Sequence, residues 1–127
     1  SQPVQKLSER LAGMLIRRPE LLKLLSIQDR EAFVALRNES DLLCKVEVIV
    51  SRDPDLLSEE LISRWPDAGD MDKIVAMANV DEVLDKEEQE VQFSEGVSRW
   101  LDLREENAEI EKLKQRINDG TEEKNSK

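Results

Sequence analysis

The sequence predicts an all-α fold, a bundle of about five to six short helices followed by a long projecting C-terminal helix. Three observations lead to this prediction. Only 3% of the 127 residues are aromatic and none is tyrosine, whereas β-sheets favour aromatic and β-branched side chains. Good helix formers dominate, with only four glycines and four prolines to interrupt them. Apolar residues also recur at helical spacing along most of the chain.

The first helix is predicted from an apolar stripe that covers four turns. Its members are Val4, Leu7, Leu11, Met14 and Leu15. The helix ends before Pro19, because the residue that precedes a proline is disfavoured in the α-helical region. Pro19 suits the first turn of a second, short helix. A third helix over residues 29–37 carries Phe33 and Leu36 inward.

The segment from Val46 to Val50 contains several β-branched residues, so its propensity alone would allow a strand. A strand needs a partner for its backbone hydrogen bonds, and no second strand is predicted in the chain. We therefore predict a helix here, capped at its N-terminus by Asp41. Its apolar face carries Leu42, Val46, Ile49 and Val50.

Two further short helices come after the break at Asp53-Pro54. The first carries its apolar residues four apart, at Leu57, Leu61 and Trp65. It ends before Pro66, and residues 67–70 form a loop. Asp70 is predicted to cap the second helix, and Asp81 to cap the helix after that. In the second helix, the residues predicted to face the core are Ile74, Val75 and Ala78.

The last predicted helix extends from residue 86 to residue 118, a stretch with no proline and a single glycine, Gly96. At 1.5 Å per residue it is about 50 Å long, more than a compact domain of this size needs. Its first half carries a wide core-type face of Phe93, Val97, Trp100 and Leu101. Its second half carries a narrower, heptad-like stripe of Leu103, Ile110, Leu113 and Ile117. The first half is therefore expected to pack on the bundle and the second half to project from it.

We accordingly divide the chain into a helical bundle subdomain over residues 1–85, the long helix over residues 86–118 and a polar tail over residues 119–127. The tail contains no apolar residue, and Gly120 is predicted to end the helix. We expect the tail to be disordered. An apolar stripe on a projecting helix needs a partner helix, from another chain or from further sequence.

The net charge of −10 is concentrated in the middle of the chain. Residues 53–90 alone carry this charge, because they hold 13 acidic and three basic residues, whereas residues 1–52 are slightly basic. Such a run is usually a set of solvated helix caps and turns. The alternative is a surface for a basic protein partner. The overall acidity disfavours the phosphate backbone of a nucleic acid as the main partner.

The sequence indicates no catalytic residue, metal site or cofactor. It contains no histidine, the commonest general base and transition-metal ligand. The single cysteine, Cys44, lies among apolar residues with no base to activate it, so we expect a buried thiol and a reducing, cytoplasmic location. Asp67, Asp70 and Asp72 lack the spacing of a calcium loop and are better explained as caps. No segment approaches the ~20 apolar residues of a membrane span.

One cluster of basic residues consists of Lys6, Arg10, Arg17 and Arg18. The first three lie near one side of the first predicted helix. Ordinary solubility would explain them. The alternative is a site for an acidic peptide, whose carboxylates would accept charge-assisted hydrogen bonds from Lys6 and Arg10.

Three segments carry a resemblance to a known family. In residues 11–25, LAGMLIRRPELLKLL, an apolar helix is followed by a Pro-Glu-Leu helix start. Residues 50–57 and 61–65 form a turn and a helix, and residues 93–103 belong to a long helix that continues with Arg-Glu-Glu. Their order and spacing over about residues 4–118 resemble the C-terminal domain of bacterial DNA primase (DnaG).

The resemblance implies a helicase-binding domain, a helical bundle followed by a helical hairpin of which the long helix is the first limb. In that family the domain docks on the N-terminal domain of the hexameric replicative helicase (DnaB). Docking brings primer synthesis to the replication fork of a bacterial cell and modulates the helicase. The family's zinc-binding and magnesium-dependent polymerase domains lie upstream, so this fragment itself is expected to be neither an enzyme nor a cofactor-binding chain.

The apolar stripe on the long helix, together with the resemblance, indicates which residues bind. We expect the helicase contact on the long helix, at Leu103, Ile110, Leu113, Lys114 and Ile117. Some members bind the acidic C-terminal tail of the single-stranded DNA-binding protein, which would place that tail at Lys6 and Arg10. The family's hairpin has a second amphipathic helix that carries much of the helicase contact, and residues 119–127 offer no apolar side chain for it.

Two other classes of function stay open. The long helix also suits a structural or regulatory dimer, in which two copies self-associate or exchange their helices through the apolar stripe. The abundance of Asp and Glu is the one feature that favours an enzyme with a carboxylate-bound metal.

Overall fold

The computed structural model describes residues 2–125, and the side chains of residues 3–120. All regular secondary structure in residues 2–125 is helical, which confirms the all-α prediction. The α-helices are α1 (Gln2–Arg17), α2 (Ile27–Ala35), α3 (Leu42–Arg52), α4 (Ser58–Ser63), α5 (Met71–Ala78) and α6 (Lys86–Asn125). Two short 3-10 helices cover Pro19–Leu24 and Ala68–Asp70. Among the helices described, none combines the length and hydrophobicity that a membrane span requires.

Helix α1 lies at the centre of the bundle and contacts α3, α4, α5 and α6. Four of the five residues of its predicted apolar stripe are buried, Leu11 and Leu15 almost completely, and Leu7 is partly buried. Helix α6 packs closely against α1 at Gly96, where an added Cβ atom would lie 2.6 Å from Leu11 Cδ2. A larger residue at position 96 would therefore require the Leu11 side chain, or the spacing of the two helices, to shift.

The predicted helix boundaries around Pro19 and Asp41 are confirmed. Helix α1 ends at Arg17, and the segment that begins at Pro19 is a 3-10 helix. The β-branched segment before Asp53 is helical, as part of α3. Asp41 caps α3, because its Oδ1 atom accepts the backbone N–H of Cys44 at 3.1 Å.

Two residues that the sequence places inside the bundle are exposed. Leu61 and Trp65 are buried as predicted, but Leu57 is largely exposed because α4 begins one residue after it. Ile74 is fully buried in α5, whereas Val75 is exposed. Adjacent residues on an α-helix point in directions about 100° apart, so α5 turns Val75 away from the core when it buries Ile74.

Two predicted helix caps differ in the structure. Asp70 occupies the N-cap position of α5, as predicted, but its side chain makes no capping hydrogen bond. Its Oδ2 atom instead accepts hydrogen bonds from Trp65 Nε1 at 3.1 Å and from Lys45 Nζ at 2.9 Å, because the fold brings these two donors to it. The cap of α6 is Asp85 rather than Asp81, since Asp85 Oδ1 accepts the backbone N–H of Glu88 at 2.8 Å.

These contacts of Asp70 predict how stability depends on pH. The hydrogen bond from Lys45, followed by that from Trp65, lowers the pKa of Asp70. A lowered folded-state pKa contributes stability above the unfolded-state pKa of about 3.9, and this stability is lost as the pH falls through the folded-state pKa. We expect Asp70→Asn to be less stable than the parent at pH 7, with the difference shrinking below pH 4. Urea unfolding at pH 7, 5 and 3 measures it.

The matched control is Asp72→Asn, an exposed aspartate two residues along the chain. It removes the same charge without disturbing Lys45 or Trp65, so we expect little change at any of the three pH values. A difference between Asp70→Asn and the parent that stays constant from pH 7 to pH 3 would contradict the role assigned to the ionised Asp70.

Helix α6 is longer than predicted. It extends through Gly120 to Asn125, whereas the sequence pattern predicts an end at residue 118, with Gly120 just past it. A glycine ends a helix when it adopts a positive φ, and Gly120 does not. Residues 126 and 127 lie outside the described part of the chain. At 1.5 Å per residue, the 40 residues of α6 span about 60 Å.

The two halves of α6 differ as predicted. Phe93, Val97 and Trp100 are fully buried in the core of the bundle. Every side chain from residue 108 to residue 119 is exposed. The second half of the helix therefore stands clear of the bundle.

Candidate partner-binding surfaces

The projecting half of α6 carries the predicted apolar stripe, here called the α6 stripe and formed by Leu103, Ile110, Leu113 and Ile117. Leu103 is partly buried against the bundle. Ile110, Leu113 and Ile117 are 48%, 53% and 68% exposed. Spacings of three, four and seven residues place these side chains on one face of the helix. The structure therefore places the predicted stripe on one face of α6, from the edge of the bundle outward.

Charged side chains of opposite sign flank the α6 stripe. A shallow groove beside Ile110 is lined by carboxylates of Asp102, Glu105, Glu106 and Glu109. Basic residues come next along the helix, at Lys112, Lys114 and Arg116. The predicted site residue Lys114 lies beside Leu113 and forms an exposed ion pair with Glu111 at 3.6 Å. A partner whose charges are arranged in the opposite order would be favoured on this surface.

The base of the projecting half is held by Trp100 and Arg104. The Trp100 ring is stacked on Phe33, with ring centroids 4.7 Å apart and an interplanar angle of 21°. Arg104 lies over the Trp100 ring, 5.5 Å from its centroid, and donates a hydrogen bond to the backbone carbonyl of Leu36 at 3.2 Å. These contacts connect α6 to the end of α2 and set the direction in which the helix leaves the bundle.

A buried hydrogen-bond chain also fixes Trp100. Its indole N–H donates to Ser8 Oγ at 2.6 Å, and the Ser8 hydroxyl donates to Asp41 Oδ2 at 2.9 Å. The hydroxyl of Ser8 is buried and therefore needs these partners. The chain joins α1, the N-terminus of α3 and α6, so three helices are held at one point.

The structure keeps two residues of the predicted basic cluster together and adds a third. Lys6 and Arg10 line a groove of about 260 Å³ together with Arg99 of α6. The apolar lining includes Leu7 and Leu103. We call this surface the basic groove. Sequence reasoning missed Arg99 because it lies 89 residues after Arg10, and only the crossing of α1 and α6 brings the two together.

The other two arginines of the predicted cluster are used inside the molecule. Arg17 donates hydrogen bonds to the backbone carbonyl of Met77 at 2.9 Å and to Glu82 at 3.0 Å. Arg18 pairs with Glu20 and Glu90. They therefore hold the segment before α6, and the start of α6, against α1 and do not line the basic groove.

The residues that were considered for catalysis or metal binding have structural roles. Cys44 is buried, as predicted, and this burial raises the pKa of its thiol to about 11. The thiol therefore stays protonated at neutral pH. Asp67 accepts the backbone N–H of Gly69 and lies 3.5 Å from Lys45, the lysine that also pairs with Asp70. Within the described residues, no group of three or more Cys, Asp or Glu side chains is arranged to hold a metal ion.

The fold and these surfaces define the class of the protein as an all-helical bundle with an exposed apolar stripe on a projecting helix. Comparisons with protein-family models, with curated proteins and with solved structures find no match to this chain.

Proposed function

We propose that this chain is a helicase-binding module like the C-terminal domain of bacterial DNA primase, and that the α6 stripe is its docking element. The observation that carries the proposal is the exposure of Ile110, Leu113 and Ile117 on a helix that stands clear of the bundle. The resemblance of residues 4–118 to the primase domain supplies the partner, the N-terminal domain of the replicative helicase.

The α6 stripe has the geometry of a helix that packs into an apolar groove. Such helices present side chains at positions i, i+3 and i+7, which here are Ile110, Leu113 and Ile117. Each exposed apolar side chain gains about 25 cal/mol for every Å² that a partner removes from water. In this proposal the chain carries no catalysis or cofactor of its own. It anchors an RNA-primer-synthesising enzyme to the helicase at the replication fork of a bacterial cell and modulates both activities.

Calorimetric titration of the chain onto the helicase N-terminal domain tests the proposal. We expect Leu113→Ala and Ile117→Ala each to raise Kd by about five- to tenfold, because each removes an apolar side chain from the docking face. Both side chains are more than half exposed, so the melting temperature should hardly change.

The control variant is Val91→Ala. Val91 lies at the bundle end of the same helix and is about as exposed as Leu113. This substitution should leave Kd unchanged. The absence of measurable heat with the parent chain would overturn the proposal. If Ile117→Ala lowered the stability of the chain without weakening helicase binding, Ile117 would belong to the core and not to the docking face.

A structural or regulatory dimer is the second candidate function. The α6 stripe places Ile110 and Ile117 at a positions and Leu113 at a d position of a heptad, a pattern that favours parallel two-stranded coiled coils. In such a pair Glu109 of one copy would face Lys114 of the other, which is an attractive interchain ion pair. Sedimentation at increasing concentration separates the candidates, because a monomer at tens of micromolar excludes the dimer.

The basic groove supports a second partner for the same module. Carboxylates of an acidic peptide would pair with Lys6, Arg10 and Arg99, and its apolar side chains would contact Leu7 and Leu103. This arrangement favours the acidic-peptide interpretation over ordinary solubility. By the primase resemblance, the peptide would be the acidic tail of the single-stranded DNA-binding protein.

A further inference from the structure

The connection between α5 and α6 exposes two apolar side chains. Within residues 79–85, here called the valine loop, Val83 is 91% exposed and Val80 is 54% exposed. A single exposed valine is ordinary on a protein surface. Two exposed valines in a loop held by hydrogen bonds are apolar side chains for which neither the helicase proposal nor the basic groove has a use.

The valine loop is held at its base by Arg17. The guanidinium group of this residue donates to the backbone carbonyl of Met77 at 2.9 Å, just before the loop, and to Glu82 at 3.0 Å, within it. The other carboxylate oxygen of Glu82 accepts the backbone N–H of Leu84 at 3.2 Å. Both sides of Val80 are therefore attached to one side chain of α1.

Helix α6 holds the far end of the loop. The side chain of Gln89 donates to the backbone carbonyl of Leu84 at 2.9 Å, and Asp85 caps the helix directly after it. Because the loop is already ordered at both ends, a partner would not have to immobilise it. Binding to a preorganised surface avoids much of the conformational entropy that association otherwise costs.

The surroundings of the two valines are negatively charged. Glu82 and Glu90 are paired with Arg17 and Arg18, at 3.0 and 3.3 Å. The carboxylates that remain are those of Asp81, Asp85, Glu87 and Glu88, against the single lysine Lys86. Asp85 lies close enough to Glu88 to raise the pKa of the Glu88 carboxyl group. The negative charges are thus crowded, and a cationic group brought among them would be stabilised.

We propose that the valine loop is a docking surface for a basic segment of a protein partner, whose aliphatic side chains contact Val80 and Val83 and whose Lys or Arg side chains pair with Asp81, Asp85 and Glu87. Charge complementarity selects this occupant, since the local net charge of the exposed carboxylates and Lys86 is −3. The same charge repels a nucleic acid.

Two-dimensional NMR of the 15N-labelled chain, titrated with a 12-residue amphipathic peptide of lysine and leucine, tests the proposal. We expect shifts concentrated in the amides of residues 79–88. Val83→Ser should raise the peptide Kd by about tenfold, the equivalent of about 1.4 kcal/mol. The nearly complete exposure of Val83 means that the melting temperature should be unchanged.

A pair of double variants separates a local site from general attraction to an acidic protein. Asp81→Asn with Glu87→Gln removes two charges at the valine loop, and we expect Kd to rise about tenfold with a weaker dependence on salt. Glu59→Gln with Asp72→Asn removes two exposed charges elsewhere and should change Kd less than twofold. An equal effect of the two pairs would overturn the proposal, as would shifts confined to residues 103–117 or an absence of binding. None of these outcomes depends on helicase binding.

Discussion

Replacing Trp100 by alanine is expected to lower the free energy of unfolding by about 3–5 kcal/mol, the range for truncation of a large buried aromatic residue. Trp100 is completely buried, and its indole ring is stacked on Phe33. The truncation would leave a cavity between α6 and α2, where Trp100 packs against Phe33. It would also remove the hydrogen bond from the indole N–H to the buried hydroxyl of Ser8.

Trp100→Phe separates packing from hydrogen bonding. Phenylalanine can keep much of the contact with Phe33, but it cannot donate to Ser8, so we expect a loss smaller than that of alanine. Urea unfolding followed by far-UV circular dichroism measures both variants without relying on tryptophan fluorescence. An alanine variant within about 1 kcal/mol of the parent would contradict the position of Trp100 in the core.

Gly96→Ala is expected to destabilise the protein by about 1–3 kcal/mol, the usual cost of forcing extra volume into a packed interior. In an exposed helix the same substitution stabilises by up to about 1 kcal/mol, because alanine is the better helix former. At residue 96 the new methyl group would lie 2.6 Å from Leu11 Cδ2. Leu11 is itself buried, so it cannot move aside without disturbing the contact between α1 and α6.

Gly120→Ala is the matched control, since it lies in the same helix and an added Cβ atom there would have no neighbour within 4 Å. We expect it to be neutral or slightly stabilising. Thermal unfolding of both variants under identical conditions measures the contrast. If Gly96→Ala melted at or above the temperature of the parent, the close approach of α1 and α6 would be refuted.

The sequence predicts a structural feature correctly where that feature depends on residues within one or two helical turns of each other. The break between α1 and Pro19 results from the fixed φ of proline and its steric effect on Arg18. The cap at Asp41 and the buried face of α3 depend on residues that lie within a few positions of one another. The α6 stripe could be predicted for the same reason, because Ile110, Leu113 and Ile117 share a face whatever the helix contacts.

Prediction from the sequence failed where two nearby residues were equally suitable for the same role, as a helix cap or as a core residue. Asp70 and Asp81 are both acceptable caps by residue type, yet Asp70 is taken by Lys45 and Trp65, and α6 begins at Asp85 instead. Val75 is as apolar as Ile74, and only the orientation of α5 on the bundle decides which of the two is buried.

The candidate surfaces also fall into those that the sequence could predict and those that it could not. The stripe of α6 is a property of one continuous segment and could be predicted. The basic groove required Lys6 and Arg10 of α1 to meet Arg99 of α6, and the valine loop required Arg17 to join both sides of one connection. No local pattern contains these pairings, because their members are separated by tens of residues along the chain.

By itself the sequence determined the all-helical class, most helix positions and the apolar face of the projecting helix, because these depend on backbone propensities and on a period of 3.6 residues. The tertiary structure alone decided which side chains are used inside the fold and which are presented at its surface. Arg17 and Asp70 are used inside the fold, whereas Arg99 and Val83 are presented at its surface. The physical reason is that hydrogen bonds and burial between distant segments exist only after the helices have packed.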